Sequence, residues 1–196
     1  MSKIVVAALI YSVSIFNSFA GKKEFEGRII SKNDTLNVTF LIKISRGKLL
    51  QNKDELGGFV FYKHGNSNFI KLISEKGIRI EVKEGDNKFI AFDAVKVTGM
   101  RTKYQFLRPI INGKITLYTF QYAQGSGNAY GFTNYQQGYV LRRNNFDETF
   151  YNTLGVNSAL RNYFQHCPKI EKKFPKNMLK LNNIFTIVRF YNEDCD

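Results

Sequence analysis

The sequence predicts a mainly β fold of the α+β class. An antiparallel meander forms an open barrel or strongly curved sheet, and a small C-terminal helical cap follows it. Three observations predict this. Phe25–Lys43 alternates between apolar and polar residues, the period of a half-buried strand pair. Tyr104–Tyr122 is two apolar runs meeting at Asn112-Gly113, a dipeptide suited to a tight turn with two positive φ angles. After about Asn145 the apolar period lengthens to that of amphipathic helices.

Taken in order, residues 1–20 read as a secretory signal. Lys3 supplies the positive start, Ile4–Phe16 the apolar run, and Ser18-Phe19-Ala20 the small-x-small cleavage pattern before Gly21. The alternative is a transmembrane helix, but the apolar run is shorter than the ~20 residues a span needs. No cysteine follows the cleavage position closely enough to carry a lipid anchor. The expected mature chain is exported, to periplasm, cell surface or medium. Its residues 21–145 form the β-rich domain, and residues 146–196 the cap packed on it.

In the first hairpin Asn33-Asp34 makes the turn. Phe25, Gly27 and Ile29 then share a face with Leu36, Val38, Phe40 and Ile42. Gly58–Tyr62, Phe69–Ile73, Ile78–Val82 and Phe89–Val97 read as further strands, with Ser74–Gly77 turning a third hairpin. In the Tyr104–Tyr122 hairpin a two-residue turn sets Ile111 opposite Lys114 and Arg108 opposite Leu117. Pro109 cannot donate to a ladder, so it marks an edge or a bulge. Gln121–Tyr139 is rich in Gly, Asn, Gln and Tyr and carries no charge. It reads as a long loop or as an irregular hairpin around Gly125-Ser126-Gly127. Tyr139–Arg143 is one more strand. In the cap, Ser158–His166 places Leu160, Tyr163 and Phe164 on one helical face, with Asn157 or Ser158 as N-cap. Pro168 suits the first position of a further turn. Asn183–Asn192 is a second amphipathic helix, although Ile184–Val188 also reads as a strand.

Several of these features together resemble a group of exported Bacteroidetes-type proteins without an established activity. The shared pattern is Gly27-Arg28-Ile29 with Asn33-Asp34-Thr35, then Asp93–Lys96, then Phe106-Leu107 with Asn112–Tyr118. It closes with Cys167-Pro168 and Tyr191-Asn192 before Cys195. The resemblance implies export, the β-then-α layout and a paired role for the cysteines. The chain departs from it at Gln124–Gly138, which has the character of an insertion. Independently of the resemblance, an oxidising compartment permits a Cys167–Cys195 bridge; two separate thiols are the alternative.

The formal charge is +13, and loss of Lys3 with the signal leaves +12. Such a balance suits anionic partners: acidic glycan, lipopolysaccharide or another polyanion such as nucleic acid. The basic residues are scattered and form no dense tract, so a solvated basic surface is the plainer reading. Tyr118, Phe120 and Tyr122 recur at every second position of one strand. With Tyr130 and Tyr135 they would form a ligand platform on which sugars or bases stack. Alternatively Tyr118 and Phe120 are core. His166 stands beside Cys167, but neighbours on a helix point about 100° apart and make a poor nucleophile pair. There is no phosphate-cradling glycine loop, no nucleophile elbow and no dinucleotide fingerprint. No cofactor or metal ligand set is implied. Asp34-Thr35-Leu36 resembles an O-glycosylation acceptor, and hairpin chemistry explains the same residues. The expected function is therefore a non-enzymatic binding or structural module with a basic surface. A glycan-acting enzyme whose carboxylates meet only in space is the alternative.

Overall fold

The computed structural model describes residues 21–44, 54–86, 88–124 and 134–195. Residues 1–20, read above as a signal, lie outside them, as do 45–53, 87, 125–133 and 196. Among the described residues twelve strands are distributed over two antiparallel sheets, and three α-helices follow. The larger sheet is a strongly curved half-barrel of eight strands. In chain order these are β1 (Lys22–Ile30), β2 (Thr35–Lys43), β3 (Glu55–Gly57), β4 (Phe59–Lys63), β5 (Ile70–Ile73), β6 (Arg79–Glu84), β7 (Lys88–Lys96) and β8 (Tyr104–Leu107). Their spatial order is β3-β8-β7-β6-β1-β2-β4-β5.

The first hairpin has the expected faces. Phe25 pairs with Phe40, Gly27 with Val38 and Ile29 with Leu36. Phe40, Ile80, Val82, Phe92 and Phe106 are wholly buried and form the half-barrel interior. Gly27 makes room for it: a Cβ there would lie 2.8 Å from the Phe40 ring. The stretch Glu55–Lys63 serves both ends of the sheet. β3 pairs with β8, and beyond Gly58 β4 pairs with β2.

The expected Ser74–Gly77 hairpin is absent: β5 pairs only with β4, while β6 lies between β1 and β7. Burial explains the separation. Ile70 and Ile73 of β5 are half-exposed at an edge, whereas Ile80 and Val82 belong to the interior. Ser74 is fixed by its own contacts. Its N–H donates to the Gly58 carbonyl at 3.0 Å, and its hydroxyl lies 2.6 Å from the Tyr104 carbonyl.

The smaller sheet has β9 (Pro109–Ile111), β10 (Thr116–Gln124), β11 (Asn134–Arg143) and β12 (Phe146–Phe150) in the order β12-β11-β10-β9. The run expected as one strand from Tyr104 divides at Arg108: β8 stays in the half-barrel and β9 joins the second sheet. Pro109 accordingly sits on an edge strand, opposite a bulge between Leu117 and Tyr118. β10 and β11 pair regularly from Thr116↔Arg142 to Gln124↔Asn134, so the hairpin reading of the uncharged stretch holds to that point. Strand structure runs on to Phe150, past the expected start of the cap at residue 146.

Both faces of the second sheet are covered. Tyr118, Phe120 and Val140 pack against Val95, Val97 and Leu107 of the half-barrel side. Leu117, Leu141 and Phe150 face the cap. The cap consists of α1 (Val156–Phe164), α2 (Pro168–Lys173) and α3 (Ile184–Asp194), which settles Ile184–Val188 as helix. Gly155, with φ of 85°, precedes α1 in place of the expected Asn157 or Ser158, and no side chain caps it. Cys167 and Cys195 are joined as a disulfide across 28 residues, with Cα atoms 5.9 Å apart. No described helix is long and apolar enough to cross a membrane.

Candidate functional site

The half-barrel carries a row of charges on the outer face of β1, β6 and β7. Cross-strand pairing puts Arg28 opposite Glu81 and Arg79 opposite Asp93. Arg28 Nε donates to Glu81 at 2.6 Å, Arg79 Nε to Glu81 at 3.2 Å, and Arg79 Nη1 to Asp93 at 3.4 Å. Opposite charges facing each other across a ladder are the favourable arrangement. The row then passes into the second sheet. The Tyr118 hydroxyl donates to Asp93 Oδ2 at 2.8 Å, and Arg142 Nη1 lies 3.2 Å from the same hydroxyl.

Arg142 is the junction. It donates to both oxygens of Asp147, at 2.6 and 3.1 Å, and to the Ala94 carbonyl at 2.9 Å. Asp147 also accepts the Lys96 N–H at 2.7 Å. A planar two-point pair of this kind fixes geometry as well as charge. It holds the β11–β12 hairpin, whose two-residue turn is Asn144-Asn145 with φ of 49° and 65°. Two left-handed central residues twist the turn in the same sense as its strands. Burial, and then the charge of Asp93, push the Tyr118 hydroxyl up, so it stays protonated and acts as donor. Burial opposes the charge on Arg142. Its bonds to Asp147 and the surrounding negative groups outweigh that, and its pKa is raised.

These groups form the floor of an open cleft of about 540 Å³ between the two sheets. Six cationic side chains line it: Lys32, Lys76, Arg79, Lys96, Lys103 and Arg142. Only two carboxylates do, Asp93 and Asp147, so the lining has a surplus of four positive charges. Both carboxylates are already engaged by arginines. Lys32, Lys76, Lys96 and Lys103 are exposed, and none pairs with a carboxylate among the described residues. Phe146 stands at the rim with 81% of its surface exposed.

The aromatic platform requires correction. Tyr118 and Phe120 are each 1% exposed and belong to the layer between the sheets. Tyr122 packs edge-on against Tyr151 at 4.7 Å and donates to Gln136 at 3.0 Å. Tyr135 is exposed, and Tyr130 lies outside the described residues. The period-two aromatics pack inward because the half-barrel covers their face. The exposed aromatic beside the cations is Phe146, which the sequence reading left unassigned. The signal was Asn144-Asn145 between Arg142 and Asp147, a turn dipeptide framed by opposite charges.

The Cys167–His166 pair has no free thiol, since Cys167 is bridged to Cys195. His166 instead lies 2.7 Å from the Tyr191 hydroxyl and meets the Arg143 guanidinium. Burial and then Arg143 lower its pKa. Thr35 is exposed, and its N–H donates to Asp34 Oδ1 at 2.7 Å, the local hairpin bond. No protein-family model, curated protein or solved structure matches the chain.

Proposed function

We propose that this chain is an exported, non-enzymatic binding module for an acidic glycan, held in the basic cleft between its two sheets. One observation carries the reading: six cations line the cleft against two carboxylates, and both carboxylates are spent on structural ion pairs. Lysines at a rim raise association rates and affinity for an anionic polymer, and bound polymer releases counterions. The +12 charge of the mature chain acts in the same direction.

A glycan-acting enzyme would use Asp93 and Asp147 as its acid and base. Each is held in a bond that such chemistry would have to break: Asp93 by Tyr118 and Arg79, Asp147 by Arg142 and the Lys96 N–H. Binding is therefore the better reading. Export is part of the same proposal. Mass spectrometry of protein from the native host should find Gly21 at the N-terminus, and envelope protein with Met1 intact would reject it.

The test of the cleft is calorimetry with an oligomer of uronic acid across a salt series. Lys96→Glu combined with Lys103→Glu should weaken binding by at least about tenfold, or ~1.4 kcal/mol, and flatten the salt dependence. Unchanged affinity in that double variant would remove the cleft from the function. Tighter binding of single-stranded nucleic acid than of the glycan would replace the partner.

A further inference from the structure

The cleft does not end at Phe146. On the other side of the β11–β12 turn lies a second cavity of about 490 Å³, and the two share Phe146 and Asp147 as a common wall. Its charge is balanced, with no surplus of cations. Among the described residues Arg143, which meets His166, is its one cation, against Glu148; Asp147, the other carboxylate, is held by Arg142. The remaining polar lining is neutral: Thr98, Asn144 and Thr149, with the Tyr163 ring as a side wall. Thr98, Asn144 and Glu148 are exposed to solvent there. A carboxylate or sulfate placed in this cavity would find no surplus of cations and would lie beside the exposed Glu148 carboxylate. Sugar hydroxyls would instead find amide, hydroxyl and carboxylate partners.

Between the cavities stands an aromatic ring on a fixed post. Phe146 closes a turn whose two central residues are both left-handed, and the next residue is clamped by Arg142. Such a ring loses little freedom when a flat partner stacks on it, which lowers the cost of binding.

Resting on the glycan reading above, we infer that the ligand is a linear glycan that crosses Phe146, with an acidic sugar in the basic cleft and an uncharged sugar in the second cavity. Phe146 is the stacking residue between them. The two cavities then set a preference for chains in which acidic and neutral sugars alternate, over chains charged at every unit.

The test compares three probes of similar length on the mature chain: a hyaluronan oligosaccharide, in which uronic acid alternates with a neutral amino sugar; an oligogalacturonate, charged at every unit; and inorganic polyphosphate. The wild type should bind the alternating oligomer about tenfold tighter than the fully charged one. Phe146→Ala and Phe146→Leu should each cost about tenfold for the alternating oligomer and leave polyphosphate within twofold. Phe146 is exposed, so both variants should keep the wild-type fold. Glu148→Gln should narrow the preference by improving the fully charged oligomer. Two results overturn the inference while leaving the basic cleft standing. One is salt-sensitive binding, lost in the Lys96 and Lys103 double variant yet unchanged by Phe146→Ala and Phe146→Leu. The other is equal affinity for the two glycans. If neither glycan binds, the functional reading itself falls, and this inference with it.

Discussion

Two asparagine-led turns in this molecule behave in opposite ways. Asn112-Gly113 has the sequence of a tight hairpin turn, and Asn144-Asn145 is the weaker match. The structure forms the tight turn only at the second. Gly113 has no positive φ, and Ile111 pairs with Leu117 where a two-residue turn would pair it with Lys114. The reason lies far along the chain. Asn192 of α3 inserts its amide at Ile115, accepting the Ile115 N–H at 2.7 Å and donating to the Ile115 carbonyl at 2.9 Å. Ile115 is wholly buried among the helices, and the Lys114 ammonium donates to the Cys195 carbonyl. Asn144-Asn145 is flanked by the cross-strand pair Arg142 and Asp147, whose bonds to Ala94 and Lys96 leave the turn itself unclaimed. A local turn preference holds where nothing distant competes, and yields where a helix claims the next residue.

The contrast can be broken most severely at the disulfide. Cys195→Ser frees the end of α3, which carries Asn192 and accepts from Lys114. For a 28-residue separation the loss should be about 3–4 kcal/mol in chemical denaturation. Loss below ~1 kcal/mol would mean that α3 is held without the bridge. Asp147→Ala attacks the other turn by leaving the Arg142 guanidinium unpaired. About 2–3 kcal/mol is expected, below the ~3–5 of a fully buried pair because the Arg142 side chain is 23% exposed.

Asn192→Ala strips Ile115 of both its bonds and should cost about 2 kcal/mol. A double-mutant cycle sharpens this further. A Cβ on Gly113 would lie 2.5 Å from the Asn192 amide, so Gly113→Ala should cost about 1–2 kcal/mol in the wild type. In the Asn192→Ala background that cost should largely disappear. If it persists, the glycine is needed for its backbone and the turn has been misassigned.

The smallest effect belongs to His166. Its pKa is lowered from 6.5 by burial and by Arg143. As pH falls, the unfolded chain therefore takes up the proton first. The stabilisation is complete above the ordinary histidine range and is lost as pH drops through that range toward the lowered value. His166→Gln should remove this part of the slope in denaturation midpoints; a wild-type slope equal to that of the variant would contradict it.

How much was legible depends on how far each feature depends on distant residues. The faces of β1 and β2 could be read from alternation, because their pairing is local and one side is wet. The helices of the cap were legible from their apolar stripes. β12 was not, since Phe146-Asp147-Glu148-Thr149-Phe150 alternates weakly and reads as polar loop until Arg142 is placed opposite Asp147. The aromatics Tyr118, Phe120 and Tyr122 were legible as one face, and alternation alone left open whether Tyr118 and Phe120 were platform or core. Their burial comes from Val95 and Leu107, on strands of the other sheet, and from Val97 just past the end of β7. The cleft was invisible for the same reason: Lys32, Arg79, Lys96 and Arg142 are scattered in sequence and meet only when the sheets do.

The grip of Asn192 on Ile115 also bears on the order of folding. The two residues are 77 apart, and Asn192 emerges from the ribosome well after Ile115. Until then Asn112-Gly113 is free to form its own tight hairpin, with β10 displaced against β9 by three residues at Ile111 and by two at Pro109, beyond the bulge. The odd displacement at Ile111 turns Leu117 away from the side it shares with Ile111. A nascent chain paused before α3 would then set Lys114 opposite Ile111 in place of Leu117, and Thr116 opposite Pro109 in place of Tyr118. Chains truncated before residue 184 should show that register in amide exchange at Ile115, and chains extended through residue 195 should lose it. The last helix would then serve as a proofreader for a hairpin made long before it.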